Sequence, residues 1–333
     1  VAGRPCRTAV PKSPLSQLSS APSSPPSSPP SHPDPVARRR PARRSTPPWR
    51  EVVGVDFSGA AQAGHTTWLA RLRPATRAER RAGSPPLHLT ALDPLAALAG
   101  TAERAPALAH LVALVRASDR ALWAFDFPFG FPLEVLPDGA RWGAHHALVA
   151  EWAHDDYGLG LECVRRARAR GGPMHVRRLT DGDARAPFDP YHYRIIYQTV
   201  HGIGSVLGAL RGDRDTAVLP FQHRRLATAR RVLVETCPAS TLKRWGLPHQ
   251  RYKQPEGGAL TAVRRRTRRA IVDALAAHVA MDPRFVRRVM RDPGGDALDA
   301  VIAGVGGAQG VARADHAALG RHPRYGREGH LFY

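Results

Sequence analysis

Three short apolar runs, each with an acid at or near its C-terminal end, constrain this chain more than any other feature. They are EVVGVDFSG with Asp56, ALWAFDFPFG with Asp126 and RRVLVETCP with Glu235. Runs of this length, closed by Gly and Pro turn signals, read as strands buried on both faces. A carboxylate inside such a run is costly unless it is paired, hydrogen-bonded or bound to a metal. In open α/β sheets ligands bind beyond the strand C-termini, so the three acids are expected to converge on one crevice. The alternative for each is a capped loop or a pairing with an arginine.

The rest of the chain fits mixed α/β architecture. TTWLARLRP and PLHLTAL read as two further strands, and residues 101–118 carry apolar residues at helical spacing. Residues 143–170 and 192–210 read as helix, with a Gly, Pro and Asp punctuated loop between them, so a helical insertion is expected at about 140–215. Ser58, Gly59 and Gly64 suit a tight first hairpin. TAVRRRTRRAIVDALAAHV is an amphipathic helix with an arginine-rich outer face, and DPGGDALDAVIAGVGGA runs from a Pro/Gly start into a helix of small residues. In that last helix Asp296 and Asp299 are spaced i,i+3 and share a face. Asp296 lies in the first turn, where the helix dipole favours an anion. Asp299 sits between Leu298 and Ala300-Val301-Ile302, so it should face an arginine or a divalent cation. Four or five converging carboxylates are what two-metal phosphoryl chemistry requires, with Mg²⁺ or Mn²⁺ ions ~3.5–4 Å apart and water as the nucleophile.

The segments GVDFSGA, AFDFPFGFP, ETCPASTLK, GGDALDAVIAG and EGHLFY, in that order, resemble the DUF429 family, described as predicted nucleases of the ribonuclease H-like fold. The similarity runs from about Val52 to Tyr333. It implies a five-stranded sheet of order 3-2-1-4-5, strand 2 antiparallel, flanked by helices. It also implies a RuvC-type acidic set that binds metal: Asp56 on the first strand, Asp126 on the fourth, and Asp296 and Asp299 on the last helix. Glu235 would stand beside them on the fifth strand. Arg178, Thr180 and Asp181, with Tyr193, Tyr197 and Gln198, resemble a polar segment of the same family. They would either contact substrate, Tyr stacking on a base, or pin a loop by hydrogen bonds.

The formal net charge is +21, from 49 basic and 28 acidic residues. Only Lys12, Lys243 and Lys253 among the basic residues are lysines, a ratio that fits a codon bias toward arginine as well as an anionic partner. Residues 1–48 form a Ser/Pro/Arg-rich block expected to be a disordered tail, with the ordered domain at 49–333. The two lysines outside the tail both follow Glu235 closely in the sequence. With Ser58, Arg178, Asp181 and Tyr197 they are the candidate substrate contacts. No apolar run reaches the ~18 residues of a membrane span, and no signal-peptide pattern opens the chain, so a soluble, cytoplasmic protein with no membrane partner is expected. Three scattered cysteines make neither a disulfide framework nor, with His145, His146 and His154, a zinc site.

These features leave three functions open. The first is a metal-dependent nuclease or phosphodiester hydrolase acting on DNA or RNA through Asp56, Asp126, Glu235, Asp296 and Asp299. The second is a non-catalytic nucleic-acid-binding module, marked by salt-steep binding indifferent to metal. The third is an ATP-dependent phosphotransferase of the actin and sugar-kinase type, with GVDFSGA as its phosphate loop and GVGGA (304–308) as its adenosine glycines.

Overall fold

In each of the three apolar runs, alternate residues point to opposite faces of one sheet, and both faces are buried. The computed structural model describes residues 49–254 and 257–333. The expected tail, 1–48, lies outside the described residues. The runs form β1 (Glu51–Asp56), β4 (Ala121–Asp126) and β6 (Arg231–Glu235). Val53, Val55, Trp123, Phe125 and Leu233 enter one core, and Val52, Leu122, Ala124, Val232 and Val234 enter the other. This two-sided burial is why the runs are continuously apolar rather than alternating.

β2 (Trp68–Pro74) and β3 (Leu87–Pro94) complete the strands read from sequence, and the sheet is mixed. β1 is antiparallel to β2 and parallel to β4, while β2 and β3 are antiparallel and β4 and β6 parallel. The strand order differs from the expected five-stranded one: seven strands run β5-β6-β4-β1-β2-β3-β7. The two additions are short edge pieces, β5 (Thr216–Val218) beside β6 and β7 (Val279–Ala280) beside β3. The five strands read from sequence lie contiguously between them.

One core is closed by α1 (Arg104–Ala117) and by the insertion between β4 and β5. That insertion holds α2 (Trp142–Glu151), α3 (Asp156–Ala169) and α4 (Ile196–His201), which continues through a π-helical stretch, Gly202–Leu207. The expected continuous helix over 143–170 is broken at Trp152–Asp155, where the Asp155 side chain caps α3 by accepting the Gly158 N–H at 2.7 Å. The other core is closed by α5 (Pro238–Arg244), α6 (Ala262–Leu275), α7 (Pro283–Arg291) and α8 (Asp296–Arg313). No tight hairpin joins β1 to β2. Residues 57–67 instead form a longer connection with a helical turn, Ala63–Thr66. Among the described residues no helix is long and apolar enough to cross a membrane.

α8 lies directly on β1. A Cβ on Gly54 would stand 2.0 Å from the Ala300 carbonyl oxygen and 2.4 Å from the Gly304 nitrogen, so only glycine permits this approach. The helix therefore starts just beyond the C-terminal ends of β1 and β4, with Asp296 and Asp299 in its first turn.

Candidate active site

Asp56 and Asp126 occupy the same level of adjacent parallel strands, paired in register. Each carboxyl bears on the other's titration, and neither has an ion-pair partner among the described residues. Burial raises Asp126 to about 8, with Asp299 adding to the rise and Lys253 opposing it. Asp56 is pushed well above the usual carboxylate range by burial, again against Lys253 and with help from Asp299, Asp296 and Asp126. Two such carboxylates can share a proton or a cation, but cannot both ionise cheaply alone.

Asp299 is 2% exposed and bonded on both sides. The Tyr252 hydroxyl donates to its Oδ1 at 2.9 Å, and the Lys253 ammonium pairs with its Oδ2. The same Nζ lies 3.9 Å from Asp296. Burial raises Asp296 to about 6, with Lys253 opposing and Asp292 and Asp299 adding. At Lys253, burial disfavours the charge, but Asp299, Asp56, Tyr252 and Asp296 together outweigh it and hold the ammonium charged. One lysine is thus the counter-charge for a four-carboxylate cluster.

That lysine is positioned by a residue on the buried side of an arginine-rich helix. Arg268 of α6 is fully buried. Its guanidinium donates to the carbonyls of Tyr252 (2.6 and 2.8 Å), Val289 (2.9 Å), Pro293 (3.1 Å) and Asp292. It ties the 252–253 segment to the turn that opens α8. Sequence reasoning missed Arg268 and Tyr252. The available signal for Arg268 was its place on the apolar stripe of α6 with Ile271, Val272 and Leu275.

Glu235 has a different setting from the two aspartates. Arg178, 1% exposed, grips both its carboxylate oxygens, with Nη1 to Oε2 at 2.8 Å and Nη2 to Oε1. Asp181 takes the other edge of the guanidinium at 2.7 and 3.0 Å. Glu235 also accepts the Phe129 N–H at 2.9 Å, and Arg178 reaches the Glu328 carbonyl at 3.2 Å. Glu235, Arg178 and Asp181, expected as a catalytic acid and two substrate contacts, form a buried triad in which both carboxylates bond the one guanidinium. It clamps the turn after β4 to the C-terminal segment, where Leu331 bridges β6.

A cleft of about 1080 Å³ opens over this end of the sheet. Most of the sequence-derived site residues line it: Asp56, Asp126, Glu235, Asp296, Asp299, Ser58, Arg178, Asp181, Lys243 and Lys253, but not Thr180, Tyr193 or Tyr197. Tyr197 is exposed outside it, while its neighbour Gln198 lines the cleft and donates to the Asp126 carbonyl. Ser58 accepts the Ala60 N–H at 3.2 Å, and the Lys243 ammonium donates to the Arg185 carbonyl. Cys237 also lines the cleft, but burial pushes its thiol up to about 12, so it is no thiolate nucleophile.

The donor set consists only of carboxylate oxygens, which suits a hard divalent cation, and among the described residues Asp56 and Asp126 have no ion-pair partner. The arrangement is looser than the expected two-ion centre. Among the described residues no group of three or more His, Cys, Asp or Glu side chains is gathered to hold a metal ion, and Asp299 and Asp296 are turned to Lys253. The glycines of GVGGA lie inside α8, with Gly304 against Gly54 and Leu72 and Gly307 against Ala124. Compared with protein-family models, with curated proteins and with solved structures, the chain matches none.

Proposed function

We propose that this chain is a metal-assisted phosphodiester hydrolase of ribonuclease H-like fold that acts on nucleic acid. The observation that carries the reading is the in-register pair Asp56 and Asp126 at the floor of a large cleft, short of positive charge, beside a Lys253 shared by Asp296 and Asp299. The antiparallel β2 next to three parallel strands and the motif resemblance to the DUF429 family point the same way.

Asp56 and Asp126 would hold Mg²⁺ or Mn²⁺, which when bound supplies Lewis-acid activation of water and of a phosphoryl oxygen. Asp299, fixed by Tyr252, keeps the Lys253 ammonium over the cleft, where it offsets the charge that builds on phosphate in the transition state. This narrows the expected two-ion centre to one ion and one lysine. Glu235, Arg178 and Asp181 hold the cleft wall and touch no reacting atom. The mid-helix packing of the GVGGA glycines against β1 and β4 weighs against the second of the two features read as a phosphotransferase's.

The test is hydrolysis of labelled duplex, hybrid, junction and single-stranded substrates with Mg²⁺, Mn²⁺ or EDTA. Cleavage is expected with metal only, and Asp56→Asn should lower its rate by about 10²–10³-fold or more. No metal-dependent cleavage of any of these substrates would return the chain to the binding-module reading.

A further inference from the structure

Several arginines of the fold are neutralised by a neighbouring acid. Arg71 pairs with Glu51 at 2.9 Å, Arg230 with Asp119 at 2.9 Å and Arg324 with Glu134 at 2.8 Å. On α7 itself, Arg288 pairs with Asp93 at 2.5 Å. One concave surface gathers arginines that are not paired in this way. A groove of about 580 Å³ between the outer faces of α6 and α7 is lined by Arg265, Arg266, Arg269, Arg287 and Arg291, against the single acid Asp273. All five arginines are exposed, and none has an ion-pair or hydrogen-bond partner among the described residues.

Codon preference explains why a cation is arginine rather than lysine. It does not explain why five gather in one concavity with a single carboxylate, when the chain has 28 acids to place. Arg265 and Arg269, and Arg287 and Arg291, are like charges at i,i+4, each pair costing its helix about 0.2–0.5 kcal/mol. The planar guanidinium fork suits phosphate oxygens. The groove also adjoins the cleft. Arg264, one residue before Arg265, lines the cleft and donates to Gln254, so the basic track starts at the cleft wall and continues along α6.

We infer that the α6–α7 groove is a docking track for the phosphate backbone of a nucleic acid whose scissile segment lies in the carboxylate cleft. The inference rests on the proposed hydrolase function for its ligand, and adds the path that ligand takes and the residues that hold it. Contacts of this kind position a backbone without reading bases, so the track should be tolerant of sequence.

The test is fluorescence anisotropy in EDTA with labelled DNA duplex, single-stranded DNA and RNA of one mixed sequence, at rising KCl. The triple variant Arg265→Ala/Arg269→Ala/Arg287→Ala is expected to bind about 10-fold or more weakly at moderate salt, and to lower the slope of log affinity against log salt by about 2–3. Arg77→Ala/Arg80→Ala/Arg81→Ala removes the same charge from exposed positions outside the groove and should leave affinity within about 2-fold. Equal losses in the two triple variants, or no loss in the groove variant, would overturn the inference. So would groove-dependent binding to phosphatidylserine vesicles with no nucleic-acid binding. Hydrolysis assays of the wild type alongside binding keep the two proposals apart, because groove-dependent binding without metal-dependent hydrolysis sinks the hydrolase and leaves the track standing.

Discussion

Lys253 carries the electrostatic balance of the site on one side chain. Its ammonium contacts Asp299 and reaches Asp296, and its field bears on Asp56 and Asp126. Its loss would leave a 2%-exposed aspartate with only the Tyr252 hydroxyl for company. Breaking a buried pair from one side costs about 3–5 kcal/mol, and the half-exposed position of Lys253 reduces that to about 1–3 kcal/mol. Lys253→Met is therefore expected to lower metal-free stability by this amount. Mn²⁺ should then stabilise the variant more than it stabilises the wild type, since the vacated positive charge can be resupplied. Thermal midpoints of both proteins with and without MnCl₂ measure the difference, and equal metal responses would contradict it. Arginine is no substitute, because a guanidinium is planar and longer than the compact ammonium that bridges two carboxylates here.

At the scale of elements, the site depends on how closely α8 lies on β1. Gly54→Ala would place a methyl against the backbone of Ala300 and Gly304, and backbone cannot step aside as a flexible side chain can. The helix must lift, carrying Asp296 and Asp299 away from the strand acids. We expect a loss of at least ~3 kcal/mol in urea unfolding and loss of any metal-dependent activity. A Gly54→Ala protein of unchanged stability would refute this packing account. This contact was partly legible in the sequence: a glycine inside a strand marks close backbone approach, and the small residues of 303–308 mark a helix able to make it. β1, β4 and β6 were legible because two-sided burial writes an unbroken apolar run. β5 and β7 were not, because three- and two-residue strands leave no period to detect. Nor could sequence separate Glu235 from Asp56 and Asp126. All three end apolar strands, and what distinguishes them is an arginine 57 residues from Glu235 in the chain, one of 46.

Across the whole molecule, buried titratable groups tilt stability with pH in opposite directions. His145 accepts the Phe131 N–H at 2.9 Å and lies 2.7 Å from the Arg327 carbonyl, so its ring is held neutral, and burial lowers it to about 4. Burial likewise lowers His330 to about 3. The unfolded chain binds these protons first. Their contribution is therefore full above about pH 6.5 and is lost as pH falls toward 4. Asp126 acts the other way. Its folded value of about 8 lies above its ordinary 3.8, so the fold keeps a proton that the unfolded chain releases. That contribution is full below 3.8 and is lost as pH rises through 8. The histidines are neutral in both states above 6.5, so the alkaline arm belongs to the carboxylate pair. Metal-free protein should lose stability from pH 6.5 to 8, and Mn²⁺ should remove the loss by giving the ionised pair a counter-charge. Asp126→Asn abolishes the ionisation while keeping the shape. Its advantage over the wild type should grow between pH 5 and pH 8 by an amount on the order of 3 kcal/mol in EDTA. Urea unfolding of both proteins at the two pH values decides the matter. An advantage that does not grow would mean that Asp126 already has a cation within the fold. A variant more stable but inactive would mean that this carboxylate is kept at a cost to the fold because the chemistry of the cleft requires it.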